Sequence, residues 1–441
     1  MKTVLILGAG RVAKPMVEYL VRFPEIKVIV ASRHVDHVKG WFPADSHHEI
    51  IQHDFSHNGE AEEIVKKGDV IVSLLPYTLH VKFAKDALRL GKHLVTTSYV
   101  SDEMKALDAQ AREKGVLLLN EIGLDPGIDH MSAKKIIDEA HERGGQVVSF
   151  KSYCGGIPAP EANDNPLGYK FSWSPRGVLM AGRNSARYLE NGQIVEIPGG
   201  DLFKHHWSIK VDGLQLETYT NRDCLGYREL YEIPEVKTLF RGTLRYPGWS
   251  DFMQGIADLG LLSEHPITNV QGKSYVEVFA KILNVTVPEI RPLIRERVRT
   301  DAEEFIKKLE WLGLCDGNTT FPEPETTPID FLTHIMLEKM QYKPGERDLV
   351  VLYHDFLIRY ADHDEQVTST LIEYGIPNGD SAMARTVSLP AAIAVRLILE
   401  GKITTTGVHI PVIKEIYEPV LEELENLGIR SQEKTVVLEK K

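Results

Sequence analysis

The sequence predicts an α/β protein whose first third forms a doubly wound parallel sheet. Short apolar runs alternate with helical patterns along this third, and a glycine-rich turn follows the first of these runs. The chain has 441 residues, enough for two or three domains that each bury a core. Apolar residues make up 43% and charged residues 26%, a balance typical of folded proteins that excludes a disordered chain.

The first predicted element is a strand that leads into the glycine-rich turn. Thr3–Leu7 is apolar and partly β-branched, as in a strand buried on both faces of a parallel sheet. It is followed by Gly8-Ala9-Gly10-Arg11-Val12-Ala13, a G-x-G-x-x-A turn that opens a helix with proline in its first turn. Such glycines let the backbone approach a pyrophosphate at the start of the helix. We therefore interpret this third as a Rossmann-type dinucleotide-binding domain.

Strand and helix patterns continue through the first third. Further strand patterns are Lys27–Ala31, Asp69–Leu75, His93–Thr97 and Val116–Asn120. Helical patterns between them include His80–Arg89 and Ser101–Lys114. Strands that alternate with helices form βαβ units, whose ligands bind at the carboxyl ends of the strands. Residues that follow a strand, such as Ser98 and Tyr99, are therefore expected to face the ligand.

The residues after the second strand predict NADP rather than NAD. An NAD enzyme usually places Asp or Glu about 20 residues after the glycines, against the ribose 2′-hydroxyl. Here the strand ends in Ala31-Ser32-Arg33-His34, which has no carboxylate. Arg33 can form charge-assisted hydrogen bonds with a 2′-phosphate, and Ser32 supplies a hydroxyl. The alternative is that Arg33 is a solvated loop residue.

Charge and cysteine content exclude several classes of protein. The formal net charge of −12 disfavours a nonspecific nucleic-acid binder and attachment to anionic membranes. The three cysteines form no CxxC pair, so they predict neither a zinc finger nor a disulfide framework, and we expect a reducing, cytoplasmic location. No apolar stretch reaches the roughly 18 residues of a membrane span. The histidine pairs lack ligand spacing, so we expect no metal.

Distinctive segments are spread over nearly the whole chain. They are, in order, GAGRVAKP, SLLPYT, TTSYVS, NEIGLDPGIDH, SYCGGIPAPE, DNPLGYKFSWSPRGVL, RGTLRYPG, GERDLVVLYH, DSAMARTVSLP and GVHIPVIKEIYEPVLEELENLGI. Together they resemble the saccharopine dehydrogenase family, specifically its NADP-dependent, L-glutamate-forming branch. The wider family also contains carboxynorspermidine and carboxyspermidine dehydrogenases, lysine 6-dehydrogenases and homospermidine synthases.

The resemblance implies a Rossmann-type domain, a second α+β domain and a helical insertion. The expected bounds are 1–125 and 385–441 for the dinucleotide-binding domain, 126–254 and 316–384 for the substrate-binding and dimerisation domain, and 255–315 for the insertion. Helical patterns at Tyr275–Leu283 and Ala302–Leu312 agree with the insertion. Ala391–Leu399 and Tyr417–Leu427 are amphipathic enough to be helices that return to the first domain. The family also implies a homodimer.

The resemblance further implies an oxidoreductase that interconverts saccharopine with L-glutamate and 2-aminoadipate 6-semialdehyde in lysine metabolism. The turn motif and the resemblance together imply cofactor contacts from Gly8, Gly10, Arg11, Val12, Ser32, Arg33, Asp54, Ser98, Leu124, Asp125, Pro126 and Ser174. Implied substrate contacts are Ser98, Tyr99, Asp125, Arg222, Arg245 and Tyr246. The two arginines suit the carboxylates of an amino-acid substrate, because a guanidinium binds a carboxylate through two hydrogen bonds.

The catalytic candidates are Tyr99, Asp125 and Cys154, and the general base stays open. Asp125 accepts the amine proton or only orients a ligand, His130 is a further candidate by location, and Cys154 is either near the substrate or an inert packed thiol. Two other functions stay open: a carboxynorspermidine or carboxyspermidine dehydrogenase of polyamine synthesis, and a non-catalytic NADPH-binding regulator. The physiological direction of the reaction is not determined by the sequence.

Overall fold

In the computed structural model, which describes residues 1–43, 47–55 and 61–439, the chain divides into two units. The first unit comprises Met1–Gly145 and Leu371–Gln432. The second comprises Gln146–Thr370 and the residues from Glu433 onward. The chain thus leaves the first unit once and returns to it near its carboxyl end.

The first segment alternates strands with helices, as the sequence predicts. Its strands are β1 (Lys2–Leu7), β2 (Ile26–Ser32), β3 (Glu49–Gln52), β4 (Val70–Ser73), β5 (His93–Thr96) and β6 (Leu117–Leu119). Its helices are α1 (Lys14–Leu20), α2 (Ala61–Val65), α3 (His80–Leu90), α4 (Asp102–Lys105), α5 (Asp108–Glu113) and α6 (Ile128–Glu142). The helix expected over Ser101–Lys114 is thus two short helices, separated by residues 106 and 107.

The middle segment has longer strands and helices with little regular alternation. Its strands are β7 (Gln146–Pro158), β8 (Ala186–Glu190), β9 (Gln193–Ile197), β10 (His206–Val211), β11 (Leu214–Thr220), β12 (Thr238–Arg245), β13 (Ile267–Thr268), β14 (Glu325–Thr326), β15 (Asp348–Arg359) and β16 (Asp364–Tyr374). Its helices are α7 (Pro175–Ala181), α8 (Tyr227–Leu230), α9 (Trp249–Asp258), α10 (Tyr275–Leu283), α11 (Ile290–Arg297), α12 (Ala302–Leu312) and α13 (Pro328–Lys339). The last segment contains α14 (Ala382–Leu399), β17 (Gly407–His409), α15 (Lys414–Asn426) and β18 (Ser431–Leu438).

The sheet of the first unit has the strand order β17-β6-β5-β4-β1-β2-β3 among the described residues. All of these neighbouring strands are parallel, which confirms the doubly wound sheet. The chain moves outward from β1 to β2 and β3 and then crosses back to β4, on the other side of β1. The direction of winding therefore changes between β1 and β4, which is where a doubly wound sheet binds a dinucleotide. The sequence did not predict β3 and β17, the two strands at the edges of this sheet.

The two helices near the carboxyl end return to the first unit, as expected. α14 packs on α1 and α15 packs on α6. The Tyr417 hydroxyl on α15 donates a hydrogen bond to Asp138 Oδ2 on α6 at 2.7 Å. Because of these contacts α6 lies in the first unit, whereas the expected boundary at residue 125 placed it in the second. The expected end of that domain also differs, since most of β18 lies in the second unit.

Helix α14 has the length and mean hydropathy of a membrane span, although arginines interrupt it. In the structure 78% of this helix is buried within the protein. Such burial is typical of a core helix, and the contacts of α14 with α1 and α15 account for it.

The sheet of the second unit is mixed. Among the described strands its order is β10-β11-β12-β7-β15-β16-β18, with β8 also paired to β12 and β9 to β8. β12 and β7 are parallel, whereas β10, β11 and β12 are antiparallel neighbours. α10 and α12 have the predicted bounds, and their buried residues Phe279 and Leu309 share one core with Trp249 and Phe331. The segment expected as an insertion therefore packs into the second unit.

Close packing between β7 and β12 generates a prediction about stability. A Cβ added at Gly155 would lie 2.6 Å from the carbonyl oxygen of Leu244. Gly155→Ala should therefore lower the free energy of unfolding by about 1–3 kcal/mol, as measured by urea denaturation. Gly226→Ala is the control, because a Cβ there meets no described atom within 4 Å and the φ of −62° suits alanine. Equal effects of the two substitutions would contradict this packing.

Candidate active site

The glycine-rich turn joins the end of β1 to α1. Gly8 has a φ of +101°, and a Cβ there would lie 3.0 Å from the carbonyl oxygen of Leu74. At Gly10, by contrast, a Cβ would meet no described heavy atom within 4 Å. The fold itself requires glycine at position 8, since L-residues rarely adopt this φ. Glycine at position 10 leaves open space beside the turn, and this space fits the pyrophosphate of a dinucleotide.

The helix begins later than the motif suggests. Arg11 and Val12 lie in the turn, because the amide of Ala13 donates to the carbonyl of Gly10 at 3.2 Å and α1 starts only at Lys14. Pro15 does occupy the first turn of the helix, where its missing amide proton costs little. The predicted cofactor contacts of Arg11 and Val12 would therefore come from turn residues.

The carboxyl end of β2 lies next to this turn, and that of β3 lies one strand farther out. Ser32 ends β2, and its hydroxyl accepts a hydrogen bond from the amide of Ala9 at 3.3 Å. The side chain of Arg33 is exposed, and its guanidinium pairs with no carboxylate in the described part of the chain. Asp54 follows β3 and is half-buried. Arg33 is thus accessible to a 2′-phosphate at this edge of the sheet.

Tyr99 and Asp125 come together at the carboxyl ends of β5 and β6. The Tyr99 hydroxyl donates a hydrogen bond to Asp125 Oδ1 at 3.3 Å. Asp125 is the one residue within 116–134 that is not buried, and all residues of this range are described. Its loop is held by its own backbone, since the amide of Ile128 donates to Gly123 at 2.8 Å and that of Asp129 to Leu124 at 3.0 Å. The loop therefore presents one partly exposed carboxylate, while Leu124 and Pro126 are buried beside it.

The structure places His130 in the interior of the first unit. Its side chain is fully buried, and Nε2 lies 2.8 Å from Glu121 Oε2. The other oxygen of Glu121 accepts a hydrogen bond from the amide of Val100 at 2.9 Å. Glu121 therefore ties the segment after β5 to the start of α6. The sequence did not predict these contacts of Glu121. They depend on its positive φ of 58°, and no residue pattern in the sequence indicates that conformation.

His80 is a second buried residue that the sequence analysis missed. Its Nδ1 lies 2.8 Å from the Ser73 hydroxyl, and its Nε2 lies 2.8 Å from the Ser98 hydroxyl. Nε2 is also 3.2 Å from Thr96 Oγ1. Burial lowers the pKa of His80 to about 4, so the imidazole is neutral at neutral pH. Ser98, a predicted ligand contact, is thus held by a histidine within its own unit.

In the second unit, Arg245 is a buried cation at the end of β12. Arg245 is only 5% exposed. Its guanidinium carbon lies 4.7 Å from the centre of the Tyr169 ring and 5.8 Å from that of Trp249. Nη1 donates to the carbonyl of Leu244 at 2.7 Å, whereas Nε has no hydrogen-bond partner among the described residues. A buried N–H without a partner costs free energy, so a carboxylate ligand fits this position.

The other predicted residues of the second unit lie in different surroundings. Arg222 is exposed with a φ of 58°, two residues after β11. The Tyr246 hydroxyl donates to the carbonyl of Pro158 at 3.1 Å. Cys154 lies on β7 between Thr243 and Leu352, where it is buried but near Arg245 along the sheet. Ser174 caps the start of α7, and its hydroxyl accepts a hydrogen bond from the amide of Gly177 at 3.2 Å. The described residues contain no group of three or more His, Cys, Asp and Glu side chains arranged to hold a metal ion.

Comparisons with known families decide the identity of the fold. Residues 4–119 match the family model described as the saccharopine dehydrogenase NADP binding domain, and residues 123–429 match the saccharopine dehydrogenase C-terminal domain. The chain belongs to the saccharopine dehydrogenase family. The first unit accordingly binds NADP, as the glycine-rich turn and the absence of a carboxylate after β2 predicted.

Individual relatives extend over the whole chain. The saccharopine dehydrogenases [NADP(+), L-glutamate-forming] of Schizosaccharomyces pombe and Saccharomyces cerevisiae are 39% and 40% identical, and each alignment covers 99% of both chains. A solved apo structure of the L-Glu-forming enzyme from Saccharomyces cerevisiae matches with a TM-score of 0.88 at 39% identity, over 99% of this chain and 100% of that one. The mitochondrial alpha-aminoadipic semialdehyde synthase of Bos taurus is 38% identical over 97% of this chain, which corresponds to 47% of its own length.

The different surroundings of the two glycines predict different effects of the same substitution. Gly10→Ala should leave the unfolding free energy nearly unchanged and weaken NADPH binding at least tenfold, because the methyl group fills the space of the pyrophosphate. Gly8→Ala should instead lower stability by about 1–3 kcal/mol, because φ is positive and Leu74 is close. Fluorescence titration with NADPH and urea denaturation measure the two effects. Unchanged NADPH affinity in Gly10→Ala would contradict the cofactor position.

The exposed guanidinium of Arg33 predicts the preference between cofactors. Arg33→Ala should lower kcat/KM for NADP by roughly tenfold or more and change that for NAD little, because only NADP carries the 2′-phosphate. Steady-state kinetics with both cofactors measure the ratio. A ratio of NADP to NAD efficiency equal to that of the wild type would refute the role of Arg33.

Proposed function

We propose that this protein is an NADP-dependent, L-glutamate-forming saccharopine dehydrogenase of lysine metabolism. One observation carries the proposal: enzymes of that name are 39–40% identical to this chain over 99% of both lengths. The open space at Gly10, the Tyr99–Asp125 pair and the buried Arg245 are consistent with this activity.

The reaction defines what the residues must do. Saccharopine is a secondary amine that joins the ε-nitrogen of lysine to the α-carbon of glutamate. When bound, NADP⁺ would supply the oxidation, since it would accept a hydride from C6 of the lysine part and an imine would remain on the substrate. Water then adds to the imine carbon, and the C–N bond breaks to give glutamate and 2-aminoadipate 6-semialdehyde. The protein must therefore take a proton from the substrate ammonium, orient a water molecule and bind three carboxylates.

We assign the substrate amine to Asp125 and Tyr99. Asp125 is a partly exposed carboxylate on a loop that is otherwise buried, so it can reach a ligand without rearrangement. This carboxylate accepts a hydrogen bond from Tyr99, and in the proposal it binds the ammonium and accepts its proton. His130 is buried against Glu121 and does not compete for this role. Cys154 stays a candidate neighbour of the substrate.

We assign two of the substrate carboxylates to Arg222 and Arg245. Arg245 is buried, and its unsatisfied Nε needs an acceptor that the described residues do not supply. A polyamine substrate would bring a cationic chain to these arginines, and like charges disfavour that complex. The arginines therefore support the amino-acid substrate over the carboxylated polyamine.

We also propose that the enzyme is a cytoplasmic homodimer that does not act on nucleic acids or membranes. The thiols of Cys154, Cys224 and Cys315 and the net charge of −12 support this environment and this choice of partners. β18 is the last strand in its sheet's order and exposes Val437 by 63%. An edge strand with exposed apolar residues favours pairing with another chain. Light scattering on the wild type and on Val437→Lys tests this, and an unchanged monomer mass in both would refute the dimer.

The first experiment follows NADPH absorbance with NADP⁺ and saccharopine, with carboxynorspermidine and lysine as parallel substrates. The expected result is NADPH formation with saccharopine alone, with glutamate released in equal amount. Activity with the polyamine alone would move the function to polyamine synthesis. NADPH binding without turnover of any substrate would refute the proposed enzymatic activity and favour a non-catalytic regulator.

The assignment of Arg222 predicts a specific kinetic effect. Arg222→Lys should raise the KM for saccharopine more than about tenfold, because lysine cannot form two hydrogen bonds to a carboxylate, and should change the KM for NADP less than about twofold. Arg228→Lys is the matched control, since this exposed arginine donates to the backbone carbonyl of Pro234. Similar changes in both Michaelis constants would contradict substrate binding by Arg222.

A further inference from the structure

A buried imidazole joins the carboxyl ends of β4 and β5. His80 is 4% exposed, and it lies within 2.8 Å of the hydroxyls of Ser73, the last residue of β4, and Ser98, two residues beyond β5. The sequence marks His80 only as the start of a helix. We propose that His80 is a positioning residue that orients the Ser98 hydroxyl toward the nicotinamide half of NADP(H). This inference rests on the proposed function for its cofactor.

The strand order indicates which half of the cofactor lies near Ser98. Gly10 follows β1, and Arg33 follows β2, on the side that suits the adenosine 2′-phosphate. β4 and β5 lie on the opposite side of β1. A dinucleotide that crosses the sheet between β1 and β4 therefore places its nicotinamide half over the ends of β4 and β5.

Burial shows which end of the hydroxyl chain faces the ligand. Ser73 and Thr96 are buried with His80, whereas Ser98 is partly exposed. The Ser98 amide also donates to Thr96 Oγ1 at 3.4 Å, so the backbone before Tyr99 is held as well. Because the chain of hydroxyls ends at the fully buried Ser73, it does not lead a proton to water there. The arrangement suits orientation of Ser98 rather than proton transfer.

The chemistry of imidazole gives the orientation a direction. Burial lowers the pKa of His80 to about 4, so one ring nitrogen donates and the other accepts at neutral pH. When Ser73 donates to Nδ1, Nε2 donates to Ser98, and the Ser98 proton is then left to hydrogen-bond a ligand. In the other tautomer the Ser98 hydroxyl donates its hydrogen bond to Nε2 and has no proton left for a ligand. His80 thus couples a buried hydroxyl to the one that meets the cofactor.

Two substitutions separate the two ends of the imidazole. In His80→Asn the side-chain amide reaches the position of Nδ1 and keeps the hydrogen bond with Ser73, but it does not reach Ser98. The amide of His80→Gln reaches the position of Nε2 and keeps Ser98. Isothermal titration with NADPH and with 2′-phospho-ADP-ribose, which lacks the nicotinamide, tests both variants, with thermal unfolding as the measure of stability.

We expect His80→Asn to weaken NADPH binding about fivefold to tenfold, because one oriented hydrogen bond is lost. Its affinity for 2′-phospho-ADP-ribose should stay within about twofold of the wild type. His80→Gln should bind NADPH within about threefold of the wild type. Ser98→Ala should reproduce the loss of His80→Asn, and the double variant should lose no more than either single variant, because the two residues act as one unit.

Equal weakening of both ligands in His80→Asn would show a purely structural role and overturn the proposal. Equal NADPH affinities of the Asn and Gln variants, or additive losses in the double variant, would also overturn it. If His80→Asn does not fold, Ser73→Ala takes its place, and NADPH affinity unchanged from the wild type would again refute the coupling. A wild type that binds NADPH but does not oxidise saccharopine would refute the proposed substrate and leave these binding comparisons valid.

Discussion

The site in the first unit depends on the parallel alignment of β1, β2, β4 and β5. In a parallel sheet the carboxyl ends of all strands meet at one edge, so short loops far apart in the sequence become neighbours. The apolar strands bury both faces and leave polar chemistry to the residues that follow them. Gly8, Arg33 and Ser98 occupy that edge for this reason. Buried ties from His80 and Glu121 then hold the loops after the strands.

The second unit follows a different physical logic. Its sheet is mixed, its helices share one apolar core, and its charged candidate Arg245 lies against Tyr169 and Trp249. Burial of a guanidinium costs desolvation free energy, and aromatic faces offset only part of that cost. The Nε of Arg245 has no hydrogen-bond partner among the described residues, so an anionic acceptor would suit this position. The NADP-binding unit therefore relies on strand ends and backbone contacts, whereas the role proposed for Arg245 relies on a buried cation.

Local patterns predicted most of the first unit but not its limits. The strands β2, β4, β5 and β6 and the helices α3, α10 and α12 agree with the apolar periodicity, because burial on one or both faces leaves a regular pattern. β17 and the place of α6 were missed, since both depend on contacts between residues more than 200 positions apart. The helix expected over Ser101–Lys114 is divided at residues 106 and 107, and the apolar pattern of the sequence does not reveal this break.

By itself the sequence determined the doubly wound sheet, NADP as the cofactor and the family, because glycine turns, strand ends and distinctive segments are local in the chain. Only the tertiary structure decided which polar residues act together. It paired Tyr99 with Asp125, placed His130 against Glu121 and put His80 between two hydroxyls. Those contacts are hydrogen bonds between side chains brought together by folding, and no periodicity or spacing in the sequence encodes their geometry.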